Sequence, residues 1–382
     1  TDDSTGVYLT SDNSTITNNG TIITSGDNSD GAFSSGADTI ITNNGTIIAS
    51  GSNSLAIQGV ANSQNVTLGA NSATTGGIDL GADNDSLVIR SGAVINGAID
   101  MGAGTGDTVT VGSASSSKIL ISNAESLNIA AGNAGVVVNN TIHIIDPTSS
   151  AALTIGASNL SKTINNTVNS RVSNNQEGDQ KSQQGKVWSN IFGSNLTRGA
   201  DENNLAYDYD YHGIVVGYQL DKSSGFMIGV SNGEIKTKSQ SFKSDVISTF
   251  GGYYQGLKID DKTFINTNII AGYQRYSNVR NVNDNINGVQ DAKSDINNLF
   301  ISPSVELEHR IKLHESYEVR PNASVNYTAA FFGDTTEAGA GTANLTVKKR
   351  NARILNARAG VSNILTLMSN YKVSLGFGLE SR

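Results

Sequence analysis

Long segments in the C-terminal half of the chain alternate between apolar and polar side chains. In Tyr371–Glu380, the odd positions hold Tyr, Val, Leu or Phe, and the even positions hold Lys, Ser, Gly or Glu. Leu299–Glu308 and Val319–Thr328 follow a similar pattern. Because successive side chains of a β-strand point to opposite faces, each segment predicts a strand with one apolar and one polar face.

The length of these segments indicates a membrane barrel. Tilted strands of about ten residues are long enough to cross a bilayer, and a membrane barrel turns its apolar side chains to lipid and its polar side chains to the lumen. We therefore predict an outer-membrane β-barrel over residues 185–382. Its strands are expected near 187–197, 207–221, 225–238, 246–259, 263–279, 296–312, 317–331, 345–366 and 370–381.

A break in composition divides the chain near residue 157. Residues 1–157 carry 13 acidic and 2 basic side chains, whereas 158–382 carry 21 and 24, and only Tyr8 and Phe33 of the 23 aromatic residues precede the break. Such a break predicts a domain boundary. We expect a repetitive domain at 1–157, a linker at 158–184 and the barrel at 185–382.

The N-terminal domain contains internal repeats. The sequence TNNGTII occurs at Thr17–Ile23 and again at Thr42–Ile48, a spacing of 25, and Gly77–Leu87 resembles Ala98–Val109 with an offset of 21 to 22. A period in this range is typical of a solenoid, and the Asn-Gly turns between β-prone runs favour strands over helices. We predict a right-handed parallel β-helix.

The second repeat is rich in Gly and Asp, like the nonapeptide that binds calcium in β-rolls. The match is loose, and Asp83, Asp85 and Asp107 are weak calcium candidates. The favoured interpretation is that they occupy tight turns between strands, so we expect neither a metal nor another cofactor.

The segment after residue 157 predicts a helix. Leu160, Ile164, Val168 and Val172 recur every four residues and would line one face of a helix over 158–175. Ser158 or Asn159 would cap its start, and the polar stretch Gln176–Gln184 would link it to the barrel.

The order of these blocks resembles the classical autotransporters of type V secretion. The barrel opens with Trp188 and the step Phe192-Gly193, and a Tyr/Asp-rich approach, 207–212, precedes the strand Gly213–Tyr218. The resemblance implies a Gram-negative outer-membrane translocator with a helix in its lumen and a passenger displayed at the cell surface. It also implies twelve strands, of which nine are predicted here, so we expect a fragment truncated at both ends. Insertion by the barrel assembly machinery and handling by periplasmic chaperones are implied in the same way.

The expected role is export and display of the chain's own passenger, which we interpret as an adhesin or surface-interaction stalk rather than an enzyme. No His-Glu-x-x-His, Cys-pair or Gly-x-Ser-x-Gly motif occurs. The expected partners are lipid and an unknown surface ligand, and no nucleic-acid partner is expected. Two alternatives remain open: a surface enzyme whose catalytic head lies upstream of Thr1, and a porin-like channel with an N-terminal extension.

The resemblance also raises the hypothesis that the passenger is cut from the barrel within the helix. Asn165-Asn166 would be the cleavage site, with the Asn side chain attacking its own carbonyl group. Glu306 and Glu308, both on the polar face of their strand, would act as acid or base. Paired Asn residues are common in this chain, so a chance pair is the simpler interpretation.

Overall fold

In the computed structural model, the protein consists of a β-solenoid, one long helix and a sheet of long antiparallel strands. The structure describes residues 2–60, 62–112, 115–175, 185–200, 205–368 and 371–381. The predicted polar linker, 176–184, lies outside the described residues. No described helix is both long enough and apolar enough to cross a membrane.

The N-terminal domain is built from short strands. They are β1 (Val7–Leu9), β2 (Thr15–Asn18), β3 (Thr21–Thr24), β4 (Ala32–Ser34), β5 (Thr39–Asn43), β6 (Thr46–Ala49), β7 (Leu55–Gly59), β8 (Gln64–Leu68), β9 (Ala73–Thr75), β10 (Gly77–Asp79), β11 (Ser86–Ile89), β12 (Val94–Asn96), β13 (Ile99–Asp100), β14 (Thr108–Val111), β15 (Ser117–Ser122), β16 (Ser126–Ile129), β17 (Gly135–Val138) and β18 (Thr141–Ile144).

Strands β1–β16 stack as parallel rungs and confirm the predicted solenoid, whereas β18 pairs antiparallel with β15 and β17. In one of the three stacks, Ile41 pairs with Ile16 and with Val66, both 25 residues away. Leu87 pairs with Val66 and Val109, 21 and 22 residues away. All five point into the buried interior, so the sequence period equals one turn of the solenoid.

Asparagine side chains link neighbouring rungs inside the solenoid. The buried Asn18 Nδ2 donates to Asn43 Oδ1 at 2.9 Å, and Asn43 Nδ2 donates to Thr74 Oγ1 at 3.1 Å. A buried amide without such partners would lower stability by about 1–3 kcal/mol. The repeated TNNG sequence is therefore a structural ladder.

The C-terminal domain is a meander of long strands. They are β19 (Val187–Arg198), β20 (Tyr207–Gln219), β21 (Ser224–Thr237), β22 (Phe242–Lys258), β23 (Thr263–Asp284), β24 (Gly288–His309), β26 (Tyr317–Phe332), β29 (Arg350–Met368) and β30 (Tyr371–Ser381), with the short strands β25 (Ile311–His314), β27 (Thr335–Thr336) and β28 (Thr346–Val347) between them. Each long strand pairs antiparallel with the next. The described residues thus contain the nine long strands that the sequence predicted.

Two strands are longer than predicted. β23 continues to Asp284 rather than ending near residue 279, and β24 begins at Gly288 rather than near residue 296. The sequence between these positions lacks an apolar alternation. This part of the hairpin keeps one packed face, on which Val282 and Ala292 contact Ala340 and Ala343. Its other face lies beyond the lipid belt, so the sequence carries no barrel-strand pattern.

The outer surface of the sheet is apolar, as predicted. Leu375 is 58% exposed and Phe377 is 64% exposed. Exposed apolar side chains run across the other strands, including Val216, Ile228, Ile247, Ile269, Ile301, Val325 and Leu355. Exposed aromatic side chains flank this belt, with Tyr218 and Phe226 on one side and Tyr273 and Phe331 on the other. Such a belt between aromatic residues is typical of a surface that faces lipid.

The helix α1 (Thr148–Asn175) lies against the inner face of the sheet and begins ten residues before the predicted start at Ser158. Neither Ser158 nor Asn159 caps it. Instead, Asp146 Oδ1 accepts a hydrogen bond from Thr148 N at 2.9 Å. Pro147 then fits the helix start, where a missing N–H costs nothing. The predicted stripe of Leu160, Ile164, Val168 and Val172 is fully buried.

Candidate functional site

The lumen of the barrel is occupied by α1, which has one apolar and one polar side. The apolar stripe belongs to a single hydrophobic cluster with inward-facing aromatic residues of β19–β22, namely Trp188, Phe192, Tyr209, Phe250 and Tyr254. These aromatic side chains alternate with the outward-facing apolar belt, so the inner face of this part of the sheet also contributes to a packed core.

The polar side of α1 hydrogen-bonds to the inner face of β23–β29. Asn268 Nδ2 donates to Asn169 Oδ1 at 2.9 Å, and Asn266 Nδ2 donates to Ser173 Oγ at 2.8 Å. Closer to the helix start, Asn356 Nδ2 donates to Ser158 Oγ at 3.0 Å. These amides and hydroxyls were missed by the sequence analysis, although Ser161, Asn165, Asn169 and Ser173 recur every four residues.

A group of charged side chains holds the C-terminal end of α1. Arg310 Nη2 donates to the carbonyl oxygen of Ser173 at 2.6 Å, and Arg310 Nε donates to Glu308 Oε1 at 2.8 Å. The guanidinium group also lies 4.0 Å from the centre of the Phe264 ring, and Arg320 lies 3.9 Å from Glu308. We call Arg310, Glu308 and Arg320 the basal latch. A cation at this position also opposes the partial negative charge of the helix end.

The proposed cleavage residues lie at different depths in the lumen. Asn165 Nδ2 donates to Ser302 Oγ at 3.4 Å. Glu306 instead accepts a hydrogen bond from Asn266 Nδ2. Asn266 also donates to Ser173, which lies two helical turns after Asn165. Glu308 is engaged by Arg310, and Asn166 lies on a less buried side of the helix. The described contacts thus place Asn165 beside Ser302 rather than beside either glutamate.

The three calcium candidates accept hydrogen bonds from the backbone of neighbouring rungs. Asp83 Oδ2 accepts from Asn62 N at 3.0 Å, Asp85 Oδ1 from Gln64 N at 2.6 Å, and Asp107 Oδ1 from Asp85 N at 2.6 Å. Within the described ranges, no group of three or more His, Cys, Asp or Glu side chains is arranged to hold a metal ion. These carboxylates therefore have a role as links between rungs.

Burial makes Asp85 sensitive to pH. Desolvation is the largest cause that raises the pKa of Asp85 from its ordinary value of 3.8 to about 7, and the nearby carboxylates of Asp107, Asp83 and Asp79 add to it. The pKa of Asp107 is also raised by burial. The folded solenoid therefore binds a proton at Asp85 more tightly than the unfolded chain does.

We expect the solenoid to lose stability as the pH rises. The contribution of Asp85 is complete below about pH 4 and is lost as the pH rises through about 7, because the charged form is disfavoured only in the folded state. Urea titrations of the full chain in detergent, followed by circular dichroism at pH 5 and pH 8, would measure this difference. The Asp85→Asn variant should show a smaller difference, and an equal difference would contradict the assignment.

The last rungs of the solenoid are docked to the tip of the β23–β24 hairpin. Lys118 Nζ contacts Asp284 Oδ2 at 2.9 Å. Asn285 Nδ2 donates to the Leu120 carbonyl at 2.9 Å, and Asn285 Oδ1 accepts from Leu120 N at 2.8 Å. Residues 117–118 also pair in parallel with 283–284. The hairpin thus extends a sheet of the solenoid and fixes the solenoid at one end of the barrel.

Comparisons with known proteins point to one family. The model of the autotransporter β-domain matches residues 187–376. The translocator domain of the autotransporter NalP from Neisseria meningitidis is 13% identical with a TM-score of 0.42, and the match covers 56% of this chain and 74% of that one. The β-domain of the Bordetella autotransporter BrkA is 16% identical with a TM-score of 0.39, over 52% and 79% of the two chains. No curated protein matches the chain.

Proposed function

Residues 187–376 belong to the autotransporter β-domain family, and from this premise we propose that the chain displays its solenoid as an adhesive stalk. The barrel lies in the outer membrane and exports the passenger, the solenoid that ends with β18, to the cell surface. The end of the barrel that carries the docked solenoid is therefore the extracellular end.

The observation that carries the proposal is the arrangement of polar side chains on the solenoid. On the face of β2, β5 and β8, Thr17, Thr42 and Thr67 stand in register on successive rungs. Neighbouring strands lie about 4.8 Å apart, so their hydroxyl groups form a regular row on a rigid surface. Such a row suits an extended polar partner with many weak contacts rather than a small molecule in a pocket.

The two alternatives differ from this proposal in the role of the lumen and of the passenger. A porin-like channel needs an open lumen, whereas α1 packs against the aromatic and polar inner surfaces of the barrel. A surface enzyme would need a catalytic domain joined before Thr1, and the solenoid would then be its stalk. Insertion by the barrel assembly machinery is proposed from family membership.

A display experiment tests the proposal. In a Gram-negative host that expresses the chain within its full reading frame, external protease should remove the passenger from intact cells. Binding of those cells to glycan- or protein-coated surfaces should fall when Thr17, Thr42 and Thr67 are changed together to lysine. Lysine at Thr15, Asn65 and Thr108, the neighbouring row of the same sheet, is the matched control. Equal binding by the two variants would contradict an adhesive role for the threonine row.

The same cells test cleavage within the helix. If the passenger is cut at Asn165, mass spectrometry should find released fragments that end there, and Asn165→Gln should abolish release. Glu306→Gln should leave release unchanged, because Glu306 accepts a hydrogen bond from Asn266 whereas Asn165 contacts Ser302. A passenger that remains covalently attached would contradict this proposal and leave the displayed stalk in place.

A further inference from the structure

A step in the extracellular rim of the barrel forms a cavity on the outer face. β22 begins at Phe242, which pairs with Arg280, while β23 continues upward to Asp284. The loop before β22 leans on this taller wall, since Asn281 N donates to the Ser241 carbonyl at 2.8 Å. The cavity has a volume of about 540 Å³ and is lined by Asp208, Lys236, Thr237, Lys238, Gln240, Phe242, Lys243, Val279, Asn281 and Asp291.

The cavity opens on the side of the sheet that faces lipid. Lys236 shares the outward face of β21 with Ile228 and Val230, and Lys243 shares that of β22 with Ile247. Four residues separate Lys243 from Ile247, which corresponds to about 13 Å along a strand and about 9 Å along the membrane normal at a tilt near 45°. The lysines therefore lie at the level of the headgroups of the outer leaflet.

Three lysines lie close together at the cavity, each within salt-bridge distance of a carboxylate. Lys236 and Lys243 are directly opposite each other in the register of β21 and β22, and like charges in that position repel. Glu234 lies 3.4 Å from Lys236 Nζ and 2.9 Å from Lys243 Nζ, and Asp245 lies 3.4 Å from Lys243 Nζ. Lys238 pairs with Asp208 at 2.5 Å. All three lysine side chains are at least half exposed, so they remain accessible to a further anion.

We propose that Lys236, Lys238 and Lys243, the lysine shelf, bind the phosphorylated sugar headgroup of an outer-leaflet glycolipid. The ammonium groups donate to the phosphate oxygens, which offsets the repulsion between Lys236 and Lys243. The amide groups of Gln240 and Asn281 on the cavity wall are suited to the sugar hydroxyls. The volume lies within the usual range of about 300–1,000 Å³ for small-molecule sites, and basic pockets beside the lipid belt are established headgroup sites in membrane proteins.

The test measures lipid binding by the full chain folded in detergent micelles. Bisphosphorylated lipid A, its dephosphorylated form and inorganic phosphate are titrated separately, and bound species are counted by native mass spectrometry. The double variant Lys236→Gln, Lys243→Gln should bind bisphosphorylated lipid A about thirtyfold more weakly, since each lysine near an anionic headgroup contributes about a factor of five. The double arginine variant should retain binding.

Lys258→Gln with Lys262→Gln at the opposite rim is the matched control and should leave binding unchanged. Heat-dependent migration in gels confirms that each variant is folded, and the carboxylates of Glu234 and Asp245 that lose their lysine partners are solvent-accessible rather than buried. Equal affinity for the dephosphorylated lipid, or equal affinity in the Lys236/Lys243 variant, would overturn the proposal. If inorganic phosphate binds as tightly as the lipid, the shelf holds an adventitious ion only.

Discussion

Arginine in place of Ile228 should lower the free energy of unfolding of the barrel by about 2–4 kcal/mol, because the side chain would enter the hydrocarbon layer near its midplane. Ile228 is 70% exposed on the outer face of β21, between the aromatic Phe226 and the apolar Val230. Guanidinium titrations of the chain in lipid vesicles would measure the loss. On a surface that faced water, the same substitution would have little effect.

The matched control is Asn232→Arg on the same face of the same strand. Asn232 lies two residues beyond Val230 and opposite Ile247 of β22, nearer the edge of the apolar belt, so an arginine there should lower the free energy of unfolding by less than at Ile228, because the loss falls toward about 0–1 kcal/mol at the interface. Both variants introduce the same side chain on the same face of the same strand, at different depths. Equal losses at both positions would contradict the placement of the bilayer against this belt.

The barrel strands were predictable because two constraints act on every residue. Leu375 and Phe377 must face lipid while their neighbours face the lumen, so the period of two runs through the whole membrane-spanning part of each strand. Beyond the membrane, outward-facing side chains no longer have to be apolar. The extracellular part of the β23–β24 hairpin, around Asn283 and Asp284, therefore has no sequence period, and its strands were predicted too short.

The solenoid was predictable for a similar reason, because each rung repeats the environment of the previous one. Ile16, Ile41 and Val66 occupy one column, and the spacing of 25 follows from the length of a turn. The start of α1 was not predicted because the apolar stripe with a spacing of four residues begins only at Leu160. The signal was Asp146 followed by Pro147, a capping residue and a residue suited to the first helical turn.

Contacts between distant parts of the chain could not be predicted from one sequence. Asn285 is 165 residues from Leu120 in the sequence, and its side-chain amide forms two hydrogen bonds with the Leu120 backbone. Nothing in the local pattern of either segment specifies the partner. The polar side of α1 was hidden in the same way, because Asn169 and Ser173 weaken a helix considered alone and are stabilised only by Asn268 and Asn266 of the barrel wall.

The basal latch should decide whether α1 stays in the lumen. Replacing Arg310 with alanine removes the bond to the Ser173 carbonyl and, among the described residues, leaves the buried Glu308 beside Arg320 at 3.9 Å. Breaking a buried pair by removing one partner lowers stability by about 3–5 kcal/mol. We expect a free energy of unfolding reduced by that amount, faster proteolysis of α1 and more frequent current through the barrel in planar bilayers.

Two further variants separate the latch from a general loss of charge. Lys312→Ala removes an exposed cation two residues away. This variant should have the same conductance and the same rate of α1 proteolysis as the parent. Arg310→Ala combined with Glu308→Gln should recover part of the stability, because no uncompensated carboxylate remains. It should not restore the closed state, since the bond to Ser173 is still missing. If Arg310→Ala alone conducts as poorly as the parent, the aromatic packing of Ile164, Val168 and Val172 holds the helix without the latch. If the double variant closes the channel again, the closed state depends on the charge of Glu308 rather than on the anchored end of the helix.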